Sequence, residues 1–455
     1  MKHLDLQTLA AMAGGTLIQG DPAAIATSVS TDTRSIPEAA LFIALVGERF
    51  DAHTFLKEAA NTGASALMVS TEPDAGFPEK VGVIKVEDTL LGLQSLAREH
   101  RKLLAPRGLA ITGSSGKTST KDMALAVLSS KFQSKATAGN FNNHIGLPLT
   151  LLAMEEGDEA GVWEMGMSNP GEIAVLADIA KPDVAIVTNV GTAHIEFMGS
   201  REAIAEEKGS LPASLDASGT AILCAEDDFT PQITESVKGT ILTGGFAETA
   251  DVRATDLEAT ESGTKFTLAY QDESVGAYLP VAGEHMVQNA TLAVAAGIAF
   301  GIPLADAAAA LANLNLTSGR LTPVTAAGLR FLDDSYNANP DSTCAALTTL
   351  SKLPVPEGGR RIAVLGNMAE LGDSAETAHR EVGEFAAGCG IDVLLAVGSG
   401  PSAMEHSGVA QTVLLEDTAA AADWLAGAAT PSDLILLKGS RSAKMEAVIS
   451  QLSAT

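Results

Sequence analysis

The chain has 455 residues, of which 46% are hydrophobic and 43 are glycine, and its formal net charge is −27. That length exceeds one ordinary domain and predicts two or three, in a Gly- and Ala-rich composition typical of α/β proteins. The negative balance argues against a nucleic-acid partner, which needs a basic stripe, and it bears on solubility more than on chemistry.

The 3 cysteines, Cys224, Cys344 and Cys389, lie far apart with no paired or metal-like spacing, as expected in a reducing compartment. Met1–Gly15 carries Asp5, Gln7 and Thr8 within its apolar stretch and no preceding basic region, so it does not read as a signal peptide. Residues 1–85 hold short strand-like runs, Leu41–Val46 and Ala66–Val69, around a helix near Phe55–Thr62. A helical stretch, Thr89–Leu104, leads to Pro106 and opens a second segment, 86–316.

From Gly108 an apolar strand, a Gly-rich turn and a helix alternate, with strands expected at Leu109–Thr112, Gly161–Glu164, Val184–Thr188 and Thr220–Leu223. Such alternation predicts a mostly parallel sheet flanked by helices. A short antiparallel insertion is expected at Lys265–Tyr270 and Val275–Leu279, before a helix over Met286–Phe300. The most hydrophobic stretch, Leu292–Leu314, is broken by Gly297, Gly301, Pro303 and Asp306, which argues against membrane insertion, so a cytoplasmic protein is expected. A third α/β segment, 317–455, should carry strands at Leu329–Asp333, Arg361–Leu365, Val393–Val397 and Leu434–Leu437.

The clearest chemical signal is Ile111-Thr-Gly-Ser-Ser-Gly-Lys-Thr118, between a predicted strand and a predicted helix. Gly113 and Gly116 let the backbone of Gly113–Ser119 curl, so that N–H groups at Ser114 and Ser115 and the helix N-terminus point at one anion. Lys117 would reach the outer phosphates of a nucleotide, and the Thr118 hydroxyl would ligate Mg²⁺. The spacing departs from the usual phosphate loop, because Ile111 stands where a glycine is customary. After the loop, polar groups stand at the ends of apolar strands, where α/β ligand sites form: Glu164, the run Thr188–His194, and Lys208 on an acidic helix.

Thr112–Ser119, Gly139-Asn-Phe-Asn-Asn-His-Ile-Gly-Leu-Pro148, Glu164-Met-Gly166, His194 and Lys208 occur in the order seen in the Mur ligases of peptidoglycan synthesis, and the chain resembles that family over nearly its whole length. The resemblance implies three domains: a small N-terminal α/β domain for a UDP-sugar-peptide, a central P-loop-type ATPase, and a Rossmann-like C-terminal domain for the incoming amine. Thr31-Asp-Thr-Arg34, Leu41–His53, Val364–Gly372 and Leu437-Lys-Gly-Ser-Arg441 resemble the branch that joins D-alanyl-D-alanine to a UDP-N-acetylmuramoyl-tripeptide. Members act as ATP-dependent ligases with Mg²⁺, and a monomer is expected.

Carried over residue by residue, the resemblance gives Lys117, His194, Lys208 and Arg320 catalytic roles. It assigns Thr118, Glu164, His194 and Lys208 to the metal. The lysine matching Lys208 is carbamylated in the family, which would replace a cation beside Mg²⁺ with hard anionic oxygens. Asn289 matches the adenine-binding asparagine and Arg320 the arginine that contacts the γ-phosphate. Asp334 and Asn337 would face the ribose. Thr31, Asp32, Thr33, Arg34, Gly47, Glu48 and Arg49 would hold the uridine diphosphate, and Asn142 and Asn143 the peptidyl or muramoyl part. Asn367, Glu370, Ser440 and Arg441 are candidates for gripping the dipeptide.

The residues leave open whether the third residue of the peptide is meso-diaminopimelate or lysine. Two rival readings are a related ligase that adds a single amino acid or glutamate, and a regulatory phosphate-loop switch. The switch has no use for Lys208, Asn289 and Arg320 together.

Overall fold

The computed structural model describes residues 1–455 apart from 48, 73–76, 261 and 455. It divides into two compact units, one of residues 1–110, 132–167 and 171–183, the other of 111–131, 168–170 and 184–455. Both are α/β, as expected.

In the first unit, five strands run in the order Thr16–Gln19, Gly82–Lys85, Ala64–Val69, Ala40–Ile43, Ser28–Ser30. Pairing is parallel except between the first two. Phe42, Leu56, Leu67 and Val83 are buried together beneath this sheet. The predicted Leu41–Val46 strand ends early, at Ile43, because the chain turns at Gly47, whose N–H bonds the Phe50 carbonyl at 2.9 Å.

The helix Thr89–Leu104 has the predicted bounds. Asp88 caps its start by accepting from the N–H groups of Leu90 and Leu91, and Ala105 leaves it in the left-handed region just before Pro106. This helix packs against Gly146–Leu152 and Glu172–Ala180. His100, on its buried face, takes the Lys2 N–H on Nε2 at 3.1 Å and stands 3.1 Å from the Leu151 carbonyl through Nδ1. One nitrogen accepts and the other donates, so the ring is neutral, and burial holds its pKa down at about 4.

In the second unit, Val184–Val187, Thr220–Cys224 and Thr240–Gly245 pair in parallel. The antiparallel insertion is larger than expected, with Val252–Thr260 joining Gly263–Tyr270 and Glu273–Leu279. A bulge between Thr255 and Glu258 breaks the alternation that would have marked the first of these strands. The helix Glu284–Ala299 packs on Lys117–Ser129. Their approach is close at Gly297, where a Cβ would lie 2.5 Å from Val127 Cγ1.

The C-terminal sheet runs Thr322–Ala326, Leu329–Asp334, Leu434–Lys438, Arg361–Leu365, Val393–Val397, Gln411–Leu415, parallel after an initial hairpin. Phe331, Val364, Leu395, Leu437 and Met445 belong to its core. All four strands expected here are present, and the pairing sets Asp334 beside Lys438 and Lys438 beside Leu365 at their C-terminal ends. Among the described residues, no helix is long and apolar enough to cross a membrane.

Candidate active site

The loop before helix Lys117–Ser129 lies in the second unit, and two glycines dictate its path. Gly113 has φ +151, and a Cβ there would fall 1.8 Å from Thr188 Oγ1. Gly116, at φ +80, lies so close to Asn289 that a Cβ would be 2.7 Å from its Oδ1. No side chain fits at either position.

Thr188 and Asn189 clamp the loop. Thr188 Oγ1 donates to the Ser115 carbonyl at 2.6 Å, and Asn189 accepts the Ser115 N–H at 2.9 Å while its Nδ2 returns to the Ser115 carbonyl at 3.1 Å. Ser114 Oγ takes the Gly191 N–H at 2.8 Å. Lys117 Nζ bends back over the loop to the Gly113 carbonyl, 2.6 Å away. Such a curl, with a lysine over it and a helix behind it, has the form of a phosphate cradle. Thr118 and Ser119 are buried in the first turn of that helix.

The C-terminal segment reaches the same loop. Arg320 Nη2 donates to Thr118 Oγ1 at 3.1 Å, and its guanidinium stacks 4.2 Å from the centre of the Tyr336 ring. Asn339 Nδ2 donates to Ser115 Oγ at 3.1 Å, while Asp341 accepts from the N–H and hydroxyl of Thr192 at 2.9 and 3.1 Å. Sequence reading missed Asn339 and Asp341, and it singled out the run Thr188–His194 without the clamp that Thr188 and Asn189 form on the loop. The first had a partial signal, since Asn before Pro340 marks a helix N-cap.

His194 and Lys208 also belong to this unit. His194 has φ +65, and its Nδ1 stands 2.5 Å from Glu370 Oε2, itself at φ +61. The contact with His194 holds the Glu370 carboxyl below its ordinary range. Lys208 is 1% exposed on helix Arg201–Ala213. Burial first, and the Lys117 charge second, push its pKa well below the usual value, opposed by Glu207.

In the first unit, Glu164 is buried at a strand end and accepts from Asn142 Nδ2 at 2.8 Å. Among the described residues, no group of three or more His, Cys, Asp and Glu side chains is placed to hold a metal ion.

The remaining candidates have mostly local partners. Asn143 Oδ1 orders its own loop by accepting from Gly146 N–H at 2.8 Å. Asp32 accepts from the Arg34 guanidinium and from the Arg34 N–H, which lowers its pKa to about 2; the charged Arg34 head stays exposed, and Thr31 and Thr33 are half-buried. Gly47 forms the turn already described, Arg49 is exposed, and Glu48 lies outside the described residues.

Asn289 is buried against Gly116. Both Asp334 oxygens are engaged, by Lys438 Nζ at 2.5 Å and by the Leu321 N–H at 3.2 Å, and the Asn337 carbonyl accepts from the same lysine at 2.9 Å. The Asn367 backbone carbonyl accepts the Ser440 N–H at 2.8 Å, and Arg441 pairs with Glu446 at 2.8 Å.

A phosphate cradle facing an arginine from a separate α/β segment is the outline of an ATP-using ligase, and similarity gives it a family. Residues 111–297 match the Mur ligase middle domain, and 319–441 match the Mur ligase, glutamate ligase domain. The chain belongs to the Mur ligase family, being 38% identical over 98% of both chains to a member from Bacillus subtilis.

That relative is the UDP-N-acetylmuramoyl-tripeptide--D-alanyl-D-alanine ligase. The crystal structure of MurF from Acinetobacter baumannii superposes with a TM-score of 0.92 at 34% identity, covering 100% of this chain and 99% of that one. The MurF ligase from Thermotoga maritima in complex with ADP gives 0.84 at 29% identity, covering 94% and 97%.

Proposed function

We propose that the protein joins D-alanyl-D-alanine to the carboxylate of UDP-N-acetylmuramoyl-tripeptide, with ATP converted to ADP and phosphate, in cytoplasmic peptidoglycan precursor synthesis. The observation that carries the chemistry is the guanidinium of Arg320 at the Thr118 hydroxyl, inside the phosphate cradle. The full-length likeness to named ligases and the ADP-bound relative support the substrates.

A carboxylate is a poor acyl donor, because its leaving group would be oxide. Phosphorylation makes a mixed anhydride whose leaving group is phosphate. Lys117 and the N–H groups of Gly116–Ser119 hold the β- and γ-phosphates, those of Ser114 and Ser115 being taken by Asn189 rather than aimed at an anion as expected, and Arg320 meets the charge that develops on the transferring group. Asn289 faces the adenine, and Asp334 and Asn337 lie towards the ribose. The neutral amine of the dipeptide attacks the acyl phosphate, forms a tetrahedral intermediate and expels phosphate.

Mg²⁺ takes hard oxygens, which the Thr118 hydroxyl and a carbamate on Lys208 would supply. Thr118, His194 and a carbamate on Lys208 would hold it, the family pattern adds Glu164, and the ion would neutralise charge on the phosphates. The uncharged amine is the form that reacts with CO₂, and burial shifts Lys208 towards it, which supports carbamylation. In the first unit, Thr31–Arg34 and Gly47–Arg49 take the uridine diphosphate, and Asn142 and Asn143 the muramoyl peptide. Asn367, Glu370, Ser440 and Arg441 are assigned to the dipeptide, and the protein is read as a monomer.

The test is substrate-dependent phosphate release. With the muramoyl tripeptide and ATP present, D-alanyl-D-alanine should stimulate release and a single diamino acid should not; the reverse pattern would refute the reading.

A further inference from the structure

Lys438 has no place in the mechanism above, yet it is a lysine 3% exposed at the end of the central strand Leu434–Lys438. Its ammonium donates to Asp334 Oδ2 at 2.5 Å and to the Asn337 carbonyl at 2.9 Å. The other oxygen of Asp334 accepts the Leu321 N–H at 3.2 Å.

Leu321 is a buried residue at φ +51, directly after Gly319 at φ +76 and Arg320. A bulky side chain in the left-handed region is strained and stays there because its surroundings hold it. Here the hold is the hydrogen bond that the Leu321 N–H donates to Asp334, whose carboxylate is itself pinned by Lys438. On the other side of Arg320, the Gly319 carbonyl accepts the Tyr336 N–H at 3.3 Å, and the Tyr336 ring carries the guanidinium. The short connection 319–321 is thereby fixed at both ends, with Arg320 projecting to Thr118.

We infer that Lys438 is a positioning residue: through Asp334 it locks the 319–321 connection in the conformation that presents Arg320 to the terminal phosphate of ATP. The inference rests on the proposed γ-phosphate role of Arg320. It also gives Asp334 a duty besides any contact with ribose.

Titration calorimetry with ADP and with β,γ-methylene-ATP separates these duties. Lys438→Met should weaken the ATP analogue about tenfold while ADP affinity stays within about twofold. Arg320→Ala should show the same selectivity, and adding Lys438→Met to it should cost nothing more, since the two act as one unit.

Equal weakening of both nucleotides, or additive losses in the double variant, would overturn the positioning role. An Arg320→Ala variant that keeps full affinity for the analogue would overturn the γ-phosphate reading itself. If Lys438→Met fails to fold because Asp334 is left as an unpaired buried charge, Lys438→Gln, which keeps a neutral donor for that carboxylate, takes its place in the same measurements, with a smaller but equally selective loss expected.

Discussion

Replacing Gly113 with alanine tests the phosphate cradle most sharply. The added Cβ would stand 1.8 Å from Thr188 Oγ1 and 3.1 Å from the Thr188 backbone nitrogen, at a φ of +151. The backbone conformation alone costs a non-glycine residue about 1–3 kcal/mol. Displacing the Thr188 hydroxyl also removes its 2.6 Å bond to the Ser115 carbonyl. The Ser115 carbonyl then keeps only its 3.1 Å bond from Asn189 Nδ2, and losing the other adds about 1 kcal/mol.

The loop should therefore leave its cradle conformation at a cost of at least about 2 kcal/mol, a loss of roughly thirtyfold in nucleotide affinity. Calorimetry with ADP measures this, and circular dichroism monitors the fold. Thr188→Ala on the same chain removes the nearest clashing atom and should recover part of the loss. A Gly113→Ala variant that binds ADP as tightly as the wild type would refute the cradle geometry.

Three other outcomes follow from the structure. Lys208→Ala should lower ligase activity by about 10²-fold or more, and an added short-chain carboxylate should restore part of it; near wild-type activity without rescue would rule out the carbamate. His100, with a folded pKa of about 4 against 6.5 when unfolded, binds its proton later in the fold than in the unfolded chain, so its contribution is present above pH 6.5 and is lost as pH falls towards 4. Between pH 7 and pH 5, urea denaturation should show His100→Gln losing about 2 kcal/mol less than the wild type. Asn339→Ala should lower stability by about 1 kcal/mol by removing the capping box of helix Pro340–Lys352. Asn339→Ser should recover stability but not the nucleotide affinity that depends on the 3.1 Å contact with Ser115 Oγ.

What the sequence discloses depends on how local the cause is. The helix Thr89–Leu104 is legible because its cap, Asp88, and its stop, Pro106, adjoin it. The phosphate loop is legible because its glycines, lysine and flanking apolar strand are contiguous. The C-terminal strands stand out as unbroken apolar runs, which is what burial on both faces produces.

Lys208 is the opposite case. It follows Glu206 and Glu207 on a helix that reads as solvated, and only the fold buries it. Lys438 and Asp334 meet across 104 residues, and Asn339 reaches Ser115 across 224. No periodicity encodes such pairings. They arise from which strand ends the sheet brings together.

The central claim is that the tripeptide carboxylate is phosphorylated before the amine attacks. Muramoyl tripeptide labelled with ¹⁸O in that carboxylate, incubated with ATP and D-alanyl-D-alanine, tests it directly by mass spectrometry of the released phosphate. An acyl phosphate sends one labelled oxygen into each phosphate released and leaves the other in the new amide. Unlabelled phosphate, formed together with amide product, would contradict the account.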